Sequence, residues 1–500
     1  MRPLRLGALT RQASPVVIKK SQILDGRNFI FARCYQSQTA STPLQETENV
    51  RSLVNLSAKV REASVESLHN KNKNQRLPTR LNTRLWADEA KARANNQSGS
   101  AVSLMVLDSA LEKRLHEPKR MMDSYVELSL PFKSMPSLLE RYIATSGGIR
   151  LGKVFEDLDN LAGDISYTHV LGGRPTALDH HRNPIFIVTA SVDRLDLLEQ
   201  LRADKDYRLS GMVIYVGSSS MEVLVTVDEM DEGGVATKTC LTGRFTMATR
   251  NALTGKSQQI PPLSLESQPE EDLFAMGQAH KQRKALEAQT SLEKVPPTSS
   301  EATLLHELWL SDQSRDRRDT VKIEDTVLCT TSHMHPQQRN VHMKVFGGYL
   351  IRSSYETAWM AAAIYANQPV TFLSLDALSF HLPVSIGAVL SLTTHVTYTN
   401  NIHQDSQAAH QNSPTIASVV VLAEIVDVET GRRDRSNTFH FSFDLGSRVQ
   451  RRVTPGKCSD LEDHSLLGFY VYTRSLPSPP LHISQNLIVT AWLGSKENVG

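Results

Sequence analysis

The chain has 500 residues, 40% of them hydrophobic, which is enough for real cores in about two to four domains. Its 55 basic and 53 acidic residues nearly cancel to a formal net charge of +2, which argues against a nucleic-acid-binding footprint. Four cysteines, Cys34, Cys240, Cys329 and Cys458, stand far apart with no Cys-x-x-Cys spacing, so neither a zinc site nor a disulfide framework is indicated. No run of about 18 apolar residues marks a membrane span.

From Met1 to Pro43 the basic residues Arg2, Arg5, Arg11, Lys19, Lys20, Arg27 and Arg33 face a single acid, Asp25, with Ser and Thr between them. That pattern reads as a mitochondrial presequence over residues 1–35, with Arg33-Cys34-Tyr35 resembling a matrix-protease cleavage site. Residues 36–115 are polar, with only a weak helical pattern near Val50 to Leu68, and are expected to be a partly disordered linker.

A first folded unit is expected over 116–255. Ser124 to Leu130 alternates like a strand that Pro131 ends, and Gly147-Gly148 breaks the chain before a helix from about Lys153 to Tyr167. Strands follow at Pro184 to Leu195, at Leu209 to Met230 with a turn at Gly217-Ser218-Ser219, and at Thr237 to Thr249. In Met221 to Val227, β-branched residues alternate as a half-buried sheet requires.

Residues 256–318 form a connector with a charged helix over Glu270 to Leu286 and a short helix near Leu304 to Leu310. The second unit, 319–447, repeats the first. Strand Thr320 to Thr331 precedes a Gly347-Gly348 turn and a helix from about Tyr349 to Ala366. Strands follow at Val370 to Phe380, Val389 to Tyr398, Ile416 to Val428 and Ser436 to Phe443, with a polar loop from His403 to Pro414. One helix-opening segment thus occurs twice, in Gly148 to Asp159 and in Arg339 to Gly348. Each copy leads to an apolar strand with an aspartate at a matching point, Asp193 or Asp376, which suggests a structural role for these two. Such repetition implies tandem duplication and permits a site built from both copies. A long helix followed by antiparallel strands, twice over, predicts an α+β fold of two central helices, each wrapped by an antiparallel sheet. This is the tandem, or double, hotdog arrangement.

Within the first helix Glu156, Asp159, Asn160 and Gly163 share a face, while Leu158, Leu161 and Ile165 occupy the other. Those acids either form a solvated stripe or face a neighbouring domain. Gly347-Gly348 at a helix start leaves backbone N–H groups able to stabilise developing negative charge, or is simply a turn. Asn340 either orients a water or carbonyl or makes an Asx-turn. His169, His180, His181 and His381 lack a ligand-like arrangement.

Several segments in order resemble the mitochondrial tandem-hotdog branch of the acyl-coenzyme A thioesterases. They are Met122-Asp123-Ser124-Tyr125, Arg150-Leu151-Gly152 through Glu156-Asp157-Leu158-Asp159, Ile187 to Asp193, Ser210-Gly211, Val216-Gly217, Ser220-Met221-Glu222-Val223, His335-Pro336-Gln337, Arg339-Asn340 and Phe346-Gly347-Gly348. The resemblance covers about Arg120 to Leu445. It implies hydrolysis of fatty acyl-CoA to free fatty acid and coenzyme A in mitochondria, by a homo-oligomer of double-hotdog subunits, without metal or cofactor. It also implies that Asp159 serves as general base or nucleophile, and that Asn340 and the Gly347 and Gly348 amides position and polarise the thioester carbonyl. Arg194, Arg208, Lys344 and Arg352 are candidates for coenzyme A phosphates by proximity in sequence, against the alternative of ordinary surface charge.

Counted from the helix-start glycines, the second copy carries Tyr355 where the first has Asp159, and the first carries Ala144 where the second has Asn340. One competent site is therefore expected, not two. A hotdog hydratase and a non-catalytic acyl-CoA-binding module are the rival readings. A Gly-x-Ser-x-Gly serine hydrolase is disfavoured because that motif is absent. Residues 448–500 match nothing in the family pattern beyond Gln450 to Pro455, and receive no function.

Overall fold

In the computed structural model, the described residues are 50–63, 113–172, 185–251, 254–290, 295, 299, 320–340, 344–376, 378–400, 415–446, 449 and 451–454. The expected presequence, the helix near Leu304 to Leu310, the loop from His403 to Pro414 and the chain beyond Thr454 lie outside them.

Strands of the first half are β1 (Val126–Leu130), β2 (Ile185–Leu197), β3 (Asp206–Val216), β4 (Ser220–Met230) and β5 (Ala236–Asn251). In the second half come β6 (Thr320–Lys322), β7 (Leu328–His333), β8 (Thr371–Leu375), β9 (Leu378–Ser379), β10 (Val389–Asn400), β11 (Ile416–Val426), β12 (Arg433–Asp444) and β13 (Arg452–Thr454). The long helices are α1 (Leu151–Leu171), α2 (Gln268–Thr290) and α3 (Gly347–Ala366). One 11-stranded sheet runs β1-β3-β4-β5-β2-β8-β12-β11-β10-β7, with β9 pairing β2. The order to the left of the β2–β8 junction repeats, mirrored, to its right. Adjacent strands along the sheet are antiparallel, and at the junction Leu195 pairs with Leu375 and Asp196 with Ser374.

Period-two alternation divides the sheet's residues between two faces. Leu209, Val213, Val223, Val225 and Val227 join Leu158, Leu161 and Ile165 of α1 in the main core, which extends through Ile351, Ala358 and Ala362 of α3. Gly211 is required beneath α1, because a Cβ there would stand 2.8 Å from Ile165 Cδ1 as well as against the Leu224 carbonyl. The opposite, outer face presents Met212, Ile214 and Leu224 to Leu273 of α2 and to Leu53 and Val60 of a helical segment over 50–63. Among the described residues no helix is long and apolar enough to cross a membrane.

Several expectations are corrected here. Residues 50–63 are no linker: they form a helix whose Leu53 and Val60 are buried, and whose Arg61 Nη1 lies 3.4 Å from Asp228 Oδ2 of β4. The strand expected from Thr320 to Thr331 is interrupted by a 3-10 turn at Ile323–Thr326, and the one expected from Val370 to Phe380 divides into β8 and β9. The second unit also continues past 447. β13 pairs in parallel with β6, the Thr415 hydroxyl donates to the Val449 carbonyl (3.0 Å), and the Tyr365 hydroxyl donates to the Arg451 carbonyl (2.8 Å).

Candidate active site

Where α3 begins, it presses on α1. The Gly348 N–H, in the first turn of α3, donates to Asp159 Oδ2 at 2.6 Å, and the Thr189 hydroxyl of β2 donates to Oδ1 at 2.7 Å. Asp159 is 2% exposed, so the solvated-stripe alternative does not hold for it. Gly348 is sterically required, and Gly347 sits in tight contact. A Cβ on Gly348 would lie 3.0 Å from Glu156 Cα and 3.1 Å from Asp159 Cβ, and one on Gly347 would lie 3.1 Å from Asp159 Oδ2. The contact joins an aspartate to the positive end of a helix dipole, where a carboxylate is stabilised.

This arrangement divides the two amides expected to act together. Gly348 N–H is taken by the aspartate, so it orients Asp159 and does not point at a substrate carbonyl; the Gly347 N–H remains the candidate oxyanion donor. Phe380 borders the same place, its Cζ 3.4 Å from where a Gly347 Cβ would be.

Asn340 stands on the loop entering α3. Its backbone N–H donates to the Lys344 carbonyl (2.7 Å), its side-chain Oδ1 accepts the Lys344 N–H (3.1 Å), and the Phe346 N–H closes the loop on the Gln338 carbonyl (2.9 Å). That side-chain bond spans four residues, not the two of an Asx-turn, and together with the backbone bonds it holds Asn340 upstream of the glycine pair.

The same backbone pattern recurs in the first half, where Ala144 N–H donates to Gly148 O (2.8 Å) and Arg150 N–H to Tyr142 O (2.6 Å). Gly152 there meets α3 as Gly348 meets α1, and a Cβ on it would lie 3.3 Å from Tyr355 Cδ1. Tyr355 thus occupies in the second location the place that Asp159 has in the first. Its ring centroid lies 5.1 Å from that of Phe155 and 5.4 Å from that of Phe372, with Phe441 and Phe443 beyond, so aromatic packing fills the location. Burial, and secondarily Glu356, pushes the Tyr355 hydroxyl above its usual range, which leaves it a poor base. Glu356 is held by Arg150 through contacts of 2.7 and 3.0 Å.

Of the four residues suggested for coenzyme A phosphates, Lys344 is exposed, shares the Asn340 loop and donates to Ser385 Oγ (3.0 Å). Arg352 is near Asp159, but its Nε faces Glu156 Oε2 at 3.4 Å and its guanidinium lies 5.1 Å from the Tyr349 ring centroid. The other two meet carboxylates of the sheet. Arg194 is bound to Asp196 (2.7 Å), and Arg208 approaches Asp228 (3.5 Å), the partner of Arg61 beneath the 50–63 helix. An intrastrand carboxylate pairs with Arg194 and a cross-strand one, shared with Arg61, with Arg208; sequence proximity could not disclose those partners.

Thr189 went unassigned in the sequence. Thirty residues separate it from Asp159, and a hydroxyl inside an apolar strand carries no spacing signal. Among the described residues one triple has ligand atoms close enough for a cation, Asp193, Glu222 and His280, on the sheet's outer face. Lys284 Nζ lies 2.5 Å from Asp193 Oδ1, and Arg244 Nη1 lies 3.6 Å from Glu222 Oε1, so both carboxylates already have cationic partners and the charge balance does not call for a metal.

No protein-family model matches the chain. It is 32% identical over 336 residues to human acyl-coenzyme A thioesterase 9, mitochondrial, covering 65% of this chain and 72% of that protein. It is 31% identical over 375 residues to the mouse protein of the same name, covering 72% of this chain and 78% of that one. With mouse acyl-coenzyme A thioesterase 10, mitochondrial, it shares 29% identity over 373 residues, or 72% of this chain and 78% of the other. Identity of this level, sustained across most of both sequences, means that the chain belongs to the acyl-coenzyme A thioesterase family.

Proposed function

We propose that this protein hydrolyses fatty acyl-CoA to free fatty acid and coenzyme A in mitochondria, as a tandem hotdog with one working site. The observation that carries the reading is Asp159, a buried carboxylate held by the Gly348 amide and the Thr189 hydroxyl where α1 meets the start of α3. Two fixed donors orient the carboxylate, so that little reorganisation is needed when charge moves during reaction.

In this reading the thioester carbonyl lies beside the Gly347 N–H, with Asn340 on the loop above it, and Asp159 acts on or with water. As general base it would accept a proton from the water that attacks the thioester carbonyl, whose C–S bond then breaks to release coenzyme A thiolate; as nucleophile it would itself attack, expelling coenzyme A thiolate and leaving a mixed anhydride that water hydrolyses to fatty acid and free carboxylate. Label from water found in Asp159 after a single turnover marks the second route, with water attacking the aspartyl carbonyl of the anhydride. Lys344, exposed on the same loop, is the cation best situated to meet an acyl-CoA phosphate. The repeated strand order, the repeated pre-helix loop and the pairing of Asp159 with Gly348 all support the tandem arrangement. Tyr355 and its phenylalanine neighbours support the inactivity of the second location.

The test is thiol release from acyl-CoAs of graded chain length by protein beginning at Gln36. Release of free coenzyme A supports the reading. Binding without release would favour a non-catalytic acyl-CoA-binding protein, and water addition to enoyl-CoA without release a hydratase. A presequence ending near Tyr35 predicts a new N-terminus near Gln36 on protein recovered from mitochondria, and an intact Met1 would remove that part. Association of double-hotdog subunits into a homo-oligomer is read by sedimentation.

A further inference from the structure

Strand β2 leaves two residues out of its pairing with β5. Register shifts fall between Thr189 and Ser191 and between Val192 and Arg194, so Ala190 and Asp193 are both bulged. Bulges leave a residue unpaired, interrupt the ladder and turn side chains away from simple alternation. Here the unpaired Ala190 carbonyl accepts the Phe380 N–H (3.0 Å), while Ser191 and Val192 pair with β9. Immediately before the first bulge, Thr189 faces inward and donates to Asp159.

The outer face of the same segment is gripped by α2. Lys284 Nζ donates to both Ser191 Oγ (2.7 Å) and Asp193 Oδ1 (2.5 Å), spanning the stretch between the bulges. Thr246 of β5 donates to Asp193 Oδ2 (2.7 Å), and His280 of α2 lies 3.0 Å from Glu222 of β4. Asp193 is buried, and a buried carboxylate holding a cation this close has few alternative arrangements.

We infer that Lys284 is a positioning residue for hydrolysis: by clamping Ser191 and Asp193 from the outer face, the connector helix fixes the double-bulged strand that aims Thr189 at Asp159. The inference rests on the thioesterase reading above. Its physical content is that an outer-face ion pair and an inner-face hydrogen bond share one five-residue stretch of backbone, so loosening the first displaces the second. Misplacement of a catalytic group by about 1 Å can cost on the order of 100-fold in rate.

The experiment uses the full chain from Gln36. Lys284→Met, which keeps the stem and removes the charge, should lower kcat about 10- to 100-fold per folded protein with KM changed by less than about twofold, and Lys284→Arg should recover most of it. In a Thr189→Val background, Lys284→Met should cost almost nothing more, because the group it positions is gone. Hydrogen exchange over Ile185–Leu197 and at the Phe380 amide should quicken in Lys284→Met. An unchanged kcat per folded protein, or losses that simply multiply in the double variant, would overturn the inference. Should Lys284→Met not fold, Ser191→Ala removes one Lys284 acceptor without stranding a charge; it should reduce kcat and be silent on Thr189→Val, and full activity would overturn the proposal. Wild-type protein that releases no thiol would refute the thioesterase reading instead, while the exchange comparison would still decide whether Lys284 holds the bulges.

Discussion

At the scale of single residues, asymmetry is the main feature. Asp159 and Tyr355 occupy equivalent places, yet one is a carboxylate with two donors and the other a phenol among phenylalanine rings. Asp159→Ala should therefore reduce turnover by on the order of 10² to 10⁴, as loss of a general base does, and Asn340→Ala should remove most of it. Tyr355→Phe should leave kcat within about twofold and change stability by less than about 1 kcal/mol. Steady-state thiol release checks all three, and Asp159→Ala retaining half the wild-type rate would mean that two sites work. Thr189→Val should lower kcat about 10- to 100-fold with KM nearly unchanged, since the hydroxyl orients a catalytic group and does not reach the substrate; a rise in KM alone would refute that role. Asp159 and Asn340 came from the sequence through the family resemblance, aligned on the helix-start glycines, and the variants above test their roles. Thr189 did not, because its partnership with Asp159 is made by the sheet.

At the scale of elements, α1 is a polar-looking helix buried on nearly every side. Its charged and polar residues are accommodated by specific partners: the Tyr142 hydroxyl donates to Asp157 Oδ2 (2.6 Å), and Lys119 Nζ caps the helix end at the His169 carbonyl (2.5 Å). His169 itself is fully buried against the Pro261 carbonyl, 2.9 Å from Nε2. Burial chiefly, with Lys119 adding to it and the Pro261 hydrogen bond opposing, lowers its pKa from 6.5 to about 4. As pH falls below about 6.5 the unfolded chain takes up this proton while the folded chain does not. Stability should consequently be lost between about 6.5 and 4, by roughly 3 kcal/mol at most for this one group, with no further loss below. Denaturant midpoints at pH 7, 5.5 and 4 should show the slope in the wild type and a flatter profile in His169→Gln; parallel profiles would refute it.

At the scale of the whole molecule, the sheet joins the halves at β2 and β8, and the candidate site joins them again through Asp159 and Gly348. The fold closes later than the repeat does. β13 pairs β6, and Arg451 receives the Tyr365 hydroxyl, so truncation after Thr454 should leave folding and turnover nearly intact, whereas truncation after Ser447 should sharply reduce soluble protein. Equal yields from the two truncations would show that β13 contributes little.

By itself the sequence determined what is local or periodic: the long helices, most strands and the repeated helix-opening segment, while the family resemblance pointed to Asp159 and Asn340. Those features are set by side-chain period, by Gly and Pro, and by a recurring segment, all of which are written along the chain. Tertiary structure alone decided the rest. Gly348 became an orienting donor because α3 approaches α1 closely, Arg194 and Arg208 were taken by carboxylates, and residues 50–63 found an apolar face on which to fold. Thr189 met Asp159 from the inner face while, beyond the first bulge, α2 gripped Ser191 and Asp193 from outside. Each depends on groups distant in sequence meeting at a few ångströms, a distance that packing determines and residue spacing does not encode.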